Sequence, residues 1–306
     1  MLSRTVRLAL SIGLSLPPLP LAAQAADTAH VHAPAVTCPN CAEWNAPQRP
    51  FRIYGNTYYV GPHGLSAILL TSKEGHVLID GALPESAPQI IANIQALGFR
   101  IEDVKLILNS HAHFDHAGGI AALQRASGAN VAASPASALV LRRGASGPDD
   151  PQYGDALAFP PVPSVATIAD GDTLRVGALV LTAHFTPGHT PGGTSWSWQS
   201  CDQGRCLDFV YADSQTPISA DGFFFTRSQT YPTALADFAR GFAVLERLPC
   251  DVLLTPHPGA SGFWQRVASR DSSTTPALVD PDACRRYVAT ARQQLARREA
   301  AEAAKP

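Results

Sequence analysis

The sequence predicts an α/β chain of two successive blocks packed as one domain. Three observations carry this. Short apolar and β-branched runs alternate with segments of helical period between residues 52 and 133. A second series of strand-like runs follows from 165 to 211, closed by a helix, a strand and a last helix. The strands are too many for two independent cores, and no internal period marks a repeat array.

In chain order, Arg52 to Val60, Ser66 to Thr71 and His76 to Asp80 have the β-branched and aromatic character of strands. Ser86 to Leu97 places Ile90, Ile91, Ile94 and Leu97 at helical spacing, and Gly98 stops it. Val104 to Leu108 is almost wholly apolar and reads as a buried strand. Gly119 to Ala126 reads as a helix closing near Gly128, and Ala129 to Ala133 as the next strand. Gly144 to Pro163 is rich in Pro and Gly and reads as a loop inside the domain. Strands then follow at Leu174 and Val176, Leu179 to Ala183, Thr194 to Trp198 and Asp208 to Tyr211. A helix from Pro232 to Leu248 precedes a strand from Asp251 to Leu254. The last helix starts near Asp282 and is expected to fray into a charged tail.

Composition narrows the class of protein. Of 306 residues, 45% are hydrophobic, and 23 Lys+Arg against 25 Asp+Glu leave a formal charge of −2. That excludes disordered, collagen-like and polytopic membrane chains, and gives no basic face for nucleic acid. Arg4 and Arg7, the apolar stretch Leu8 to Leu21 and Ala23-Gln24-Ala25 read as a cleavable export signal over residues 1–25. The prolines at 17, 18 and 20 make that stretch too short and broken to span a bilayer. The mature chain is therefore expected in the periplasm, free of the membrane.

Export to an oxidising compartment favours disulfides for the 6 cysteines. Six cysteines allow 15 connectivities; spacing suggests Cys38–Cys41, Cys201–Cys206 and Cys250–Cys284. Cys38-Pro39-Asn40-Cys41 lies in a Pro- and Ala-rich lead-in rather than a βαβ unit, which favours a structural staple over a redox motif.

The chemistry begins at Ser110 to Gly119, where His111, His113, Asp115 and His116 follow a buried strand. His111 and His113 are two apart, so an extended strand end points both rings to one side. Imidazole and carboxylate suit Zn²⁺. Asp115 and His116 cannot easily share an ion with both earlier histidines, so a second ion is the natural reading. Gly118 and Gly119 are expected to serve a tight reversal through backbone angles that other residues resist. Two further histidines, His189 and His257, sit in Pro/Gly-stiffened turns after strands, where α/β proteins gather their sites.

His-x-His-x-Asp-His with Gly118-Gly119, then Gly188-His189-Thr190, then a late His257, resembles the metallo-β-lactamase superfamily from about residue 52 to 290. The resemblance implies a four-layer αββα sandwich with a zinc site at one edge, and a single metallo-hydrolase domain over 51–306 after a lead-in over 26–50. Many hydrolytic relatives use a metal-bridging aspartate near the run Tyr211-Ala212-Asp213-Ser214-Gln215-Thr216, and the first lactamase subclass has a zinc-binding cysteine there. This run resembles the third subclass, with serine at that position, as do Gly192 to Trp196, Leu254 to Ser261 and the Cys250/Cys284 pair.

Carried over, the resemblance implies two Zn²⁺ per chain, the first on His111, His113 and His189, the second on Asp115, His116 and His257. It implies attack of a zinc-generated hydroxide on a β-lactam carbonyl, giving antibiotic resistance, with Asp115 both ligand and orienter. Ser214 and Thr216 resemble the positions that hydrogen-bond the substrate carboxylate, Thr216 departing by a methyl; two hydroxyls capping a turn is the bland alternative. A monomer acting on a small molecule is expected. The competing readings are an exported thioester or lactone hydrolase of the same superfamily, and a non-catalytic periplasmic zinc binder. His184 is expected to be a core or rim histidine, and His30, His32, His63 and His76 carry no assignment.

Overall fold

A computed structural model describes residues 37–269 and 278–305. The proposed export signal, His30 and His32 lie outside the described residues. Along the chain run α1 (Cys41–Trp44), β1 (Phe51–Tyr54), β2 (Thr57–Tyr59), β3 (Ile68–Leu70), β4 (His76–Ile79), α2 (Ala87–Ala96), β5 (Val104–Leu108), α3 (Phe114–Ala117), α4 (Ile120–Ser127), β6 (Asn130–Ala133), α5 (Pro135–Arg143) and β7 (Ala166–Thr167). The second block holds β8 (Thr173–Val176), β9 (Leu179–Phe185), β10 (Thr194–Asp202), β11 (Arg205–Tyr211), α6 (Ala234–Leu245), β12 (Val252–Leu254), α7 (Phe263–Ala268) and α8 (Ala283–Ala303).

One seven-stranded sheet runs β1 to β7 in order, and one five-stranded sheet runs β12-β11-β10-β9-β8. Strand periodicity explains why they stack. In β3 to β5, Leu69, Leu78 and Ile107 point to one face, where Ile90 and Ile94 of α2 and Ile120 and Leu123 of α4 cover them. Their neighbours Ile68, Leu70, Val77, Ile79, Leu106 and Leu108 point to the other, meeting Leu181, Trp196, Phe209 and Leu254 of the second sheet. Val210 and Leu253 face outward against Phe238 and Phe242 of α6 and Val288 of α8. Three apolar interfaces between four layers make the αββα sandwich, and both sheets must be buried on both faces.

Several boundaries depart from expectation. Arg52 to Val60 is a hairpin rather than one strand, because Gly55 turns the chain at φ 51° and Phe51 pairs with Tyr59. β10 and β11 are longer than predicted and form a hairpin through the Cys201/Cys206 pair. Helix α5 stands where no element was expected, capped by Ser134, whose side chain accepts from the Ser137 N–H, and ended by left-handed Gly144. The C-terminal tail does not fray: α8 is helical to Ala303, because Glu302 is buried and accepts hydrogen bonds from the Phe225 and Thr226 N–H groups. The three disulfides are Cys38–Cys41, Cys201–Cys206 and Cys250–Cys284. Among the described residues no helix is long and apolar enough to cross a membrane.

Candidate metal centre

The site forms where the parallel strands β4 and β5 end. The chain leaves β5 at Leu108, bends at Ser110, is extended at His113 (φ −85°, ψ 157°) and turns into α3 at Phe114. This bend is held by Asp80, one residue past β4, a fully buried carboxylate at φ 62°. Its oxygens accept from the Ser110 N–H at 2.8 Å, the Ser110 hydroxyl at 2.7 Å, the Asn109 amide at 3.2 Å and the Tyr211 hydroxyl at 2.8 Å. Burial pushes the Asp80 carboxyl up, while the charge of His116 and its donors pull it down. A non-glycine residue in the left-handed region persists only where such contacts over-determine it.

Gly118 and Gly119 serve a different purpose from the one expected. Both have ordinary helical angles, φ −57° and −80°. What requires glycine is close approach: a Cβ on Gly118 would lie 2.4 Å from Pro84 Cδ, and one on Gly119 2.2 Å from the Gly81 oxygen. The pair lets α3 and α4 lie against the chain after β4, so that Asp115 and His116 face His111.

The structure brings together all six residues singled out as ligands. His111, His113 and His189 form one group and Asp115, His116 and His257 another; within each, the ligand atoms lie within 4.8 Å of one another. The His111, His113 and His189 rings are mutually edge-on, with centroids 4.8, 4.9 and 5.2 Å apart. Asp115 Oδ2 is 3.2 Å from both His116 Nε2 and His257 Nε2. The His111 and His116 rings are 4.4 Å apart, so the groups adjoin.

Outer partners fix which ring nitrogen faces inward. His111 Nδ1 bonds Asp213 Oδ1 at 2.7 Å, leaving Nε2 buried with no hydrogen-bond partner among the described residues. His113 gives Nε2 to Asp150 at 2.9 Å, and His189 gives Nδ1 to the Thr216 carbonyl at 2.8 Å. Imidazoles oriented by a carboxylate or carbonyl on the far nitrogen are the arrangement metal ligands need. Burial, then the neighbouring imidazoles, hold His111 well below its ordinary pKa, and His189 falls to about 3 for the same reasons. Burial would raise Asp115, but the His116 and His257 contacts hold it well below the carboxylate range. Burial would lower His116, yet the Asp115 carboxylate beside it, with Asp80, pulls it up. Converging imidazoles, a carboxylate held well below its ordinary range and an orphaned inward nitrogen fit a metal ion.

A cleft of about 330 Å³ opens over both groups, lined also by Trp44, Gln152, Ser214, Thr216, Ile218 and Tyr287. Ser214 and Thr216 thus reach the cleft. The sequence reading missed five residues around it. Asp150 and Gln152 lie in the 144–163 loop, and the Trp44 ring sits 5.2 Å from His257, carried there by the stapled α1. Tyr287 on α8 donates to the Asp213 carbonyl at 3.0 Å and accepts from the Gln215 N–H at 3.1 Å. Asp213 stood inside a run already singled out; the other four leave no pattern in sequence. His184 is outside the site, its Nε2 2.7 Å from the Ser197 hydroxyl, as the rim reading expected.

An Asp213→Ala change is expected to lower metal affinity roughly 10–100-fold, because the His111 ring loses the bond that orients it. Competition with a chromogenic chelator measures this; unchanged affinity would show that Asp213 does not hold the ring.

Residues 60–267 match the Metallo-beta-lactamase superfamily, and the chain belongs to it. The structure matches that of Rm3 metallo-beta-lactamase with a TM-score of 0.85 and 60% identity, covering 87% of this chain and 99% of that one. It matches MEM-A1, a subclass B3 metallo-beta-lactamase isolated from a soil metagenome library, with a TM-score of 0.84 and 49% identity, covering 86% of this chain and 100% of that one. Among curated relatives, hydroxyacylglutathione hydrolase of Anaeromyxobacter dehalogenans is 34% identical over 139 residues, 45% of this chain and 42% of that protein. N-acyl homoserine lactonase of Bacillus cereus is 28% identical over 152 residues, 42% of this chain and 55% of that protein. The chain thus spans under half the length of that first hydrolase, against nearly all of the solved lactamases.

Proposed function

We propose that this chain is an exported, zinc-dependent β-lactamase of the subclass B3 kind, holding two Zn²⁺ and conferring resistance to β-lactam antibiotics. One observation carries the reading. At the run where many hydrolytic relatives use a metal-bridging aspartate, Asp213 turns its Oδ1 onto the outer nitrogen of His111 and Ser214 lines the cleft wall, as in the third lactamase subclass that this run resembles. His111, His113 and His189 would hold one ion and Asp115, His116 and His257 the other. The three disulfides support an oxidising compartment.

Bound zinc supplies Lewis acidity, lowering the pKa of coordinated water from 15.7 to about 7 and drawing electrons from a carbonyl oxygen. The chain does the rest. Asp115 Oδ2, the oxygen nearest His116 and His257, would be the one that holds the ion with them, and Oδ1 would orient the attacking water and take its proton. The Ser214 and Thr216 hydroxyls line the wall and donate to the substrate carboxylate, fixing the lactam ring over the six ligands. Hydrolysis is balanced when the hydroxyl joins the carbonyl carbon and the proton passes to the ring nitrogen as the C–N bond breaks.

Purified enzyme offered a carbapenem, a chromogenic cephalosporin, a glutathione thioester and an acyl homoserine lactone tests this. Hydrolysis of the β-lactams, abolished by chelator and restored by zinc, is expected. Turnover of the thioester or lactone alone would replace this reading with the corresponding hydrolase, and zinc binding without any turnover with a zinc carrier.

A further inference from the structure

The wall of the cleft that carries Ser214, Thr216 and Ile218 belongs to a long segment, residues 212–233, with no helix or strand. Such a segment inside a compact domain needs partners for its backbone groups, and stretches of this length are commonly functional. Its near end is fixed by Tyr287 and by the Gln215 side chain, which donates to the Thr186 carbonyl at 3.0 Å. Its far end is fixed by the same helix three turns on. Arg298 Nη2 donates to the Ser219 hydroxyl at 2.7 Å and the Phe223 carbonyl at 2.8 Å, while its Nε donates to Glu302 at 2.6 Å. Glu302 in turn accepts from the Phe225 N–H at 3.0 Å, the Thr226 N–H at 2.9 Å and the Thr226 hydroxyl at 2.8 Å. The Glu302 side chain is 2% exposed. Charge-assisted bonds of this kind are the stronger class, and a buried carboxylate with every acceptor used gives a unique geometry.

Between the two anchors lies the part of the segment that meets substrate. Ile218, 55% exposed, stands at the cleft mouth, and the Ala220 N–H reaches across to the Pro151 carbonyl at 2.9 Å, tying this segment to the loop that carries Asp150 and Gln152. Nothing in the metal groups touches Arg298 or Glu302 directly.

We propose that Arg298 and Glu302 are positioning residues for substrate binding: the end of α8 braces the 216–226 segment, holding Ile218 and the Ala220–Pro151 link at the cleft mouth. Loosening the brace frees the mouth while Tyr287 still holds Asp213 and the metal groups stay formed. Binding weakens and chemistry persists. The kinetic part rests on the β-lactamase reading above.

The test compares Arg298→Met, Glu302→Gln and the milder Ser219→Ala with Arg292→Met, a change on the same helix α8 that removes a pair with Glu246 at the end of α6, away from the segment. In the zinc-loaded full chain, Arg298→Met and Glu302→Gln are expected to raise KM about tenfold with kcat within about twofold and the zinc count unchanged, and Ser219→Ala to shift KM less in the same direction. Ile218→Ala is expected to raise KM too, and adding it to Arg298→Met to give less than the product of the two effects, since both act at the mouth. Amide hydrogen exchange, which needs no activity, is expected to speed up over 217–226 and stay constant over 104–117. Should Arg298→Met prove unfoldable, Glu302→Gln and Ser219→Ala decide. KM and exchange indistinguishable from Arg292→Met would overturn the brace. A wild-type chain inert toward β-lactams would instead sink the lactamase reading and leave the exchange result to judge the brace.

Discussion

Replacing Asp115 by alanine is expected to cut kcat/KM for a β-lactam on the order of 10³-fold, about 4 kcal/mol of transition-state stabilisation. It is the one carboxylate of its group, and a single oxygen, Oδ2, stands 3.2 Å from both His116 Nε2 and His257 Nε2. Without it two imidazoles remain for the second ion, and no carboxylate oxygen is left to orient water over the lactam. The same variant is expected to retain about one zinc per chain, because His111, His113 and His189 keep their outer bonds to Asp213, Asp150 and Thr216. Asp115→Asn keeps the shape and loses the charge, so its loss in rate is expected to be nearly as large. Steady-state kinetics beside metal analysis reads both quantities. Full activity with one zinc would show that the second group is not part of the reaction.

The largest stability effect is expected from Asp80→Ala, a loss of roughly 3–5 kcal/mol. Four donors, from Asn109, Ser110 twice and Tyr211, are left buried without an acceptor. For a chain of this size the thermal midpoint should fall by on the order of 10 °C. Zinc affinity should fall with it, since Ser110 directly precedes His111 and its carbonyl accepts from the Thr194 N–H at 2.8 Å, linking the two sheets at the site. A midpoint within about 2 °C of wild type, measured by calorimetry on the zinc-free chain, would mean that Asp80 does not hold the bend.

What the sequence discloses here follows from how local each determinant is. Val104 to Leu108 was legible because a nearly unbroken apolar run admits little but a buried strand, and the ligand cluster after it because four ligand-type residues crowd into six positions. His189 and His257 were legible as turn histidines at strand ends, although only the fold brings them to the first cluster. The frayed tail was misjudged because the charges on α8 read as a solvated end, whereas Glu302 finds its partners in a segment far away in sequence. Helix α5 was overlooked despite a Ser-Pro start and a Gly stop, since Leu139, 64% exposed, blurs its apolar stripe. Gln152, Trp44 and Tyr287 reach the cleft through packing alone. Gly118 and Gly119 were recognised for the wrong reason: the constraint is the neighbouring backbone at Gly81 and the ring of Pro84, which no sequence pattern shows.

The most direct test of the account is a titration of zinc into the metal-free chain, followed by cephalosporin turnover and by the number of ions bound. Activity is predicted to appear with zinc, to reach its plateau at two ions per chain and to vanish again with chelator. A chain carrying two zinc ions on these six residues that leaves the lactam ring intact would contradict it.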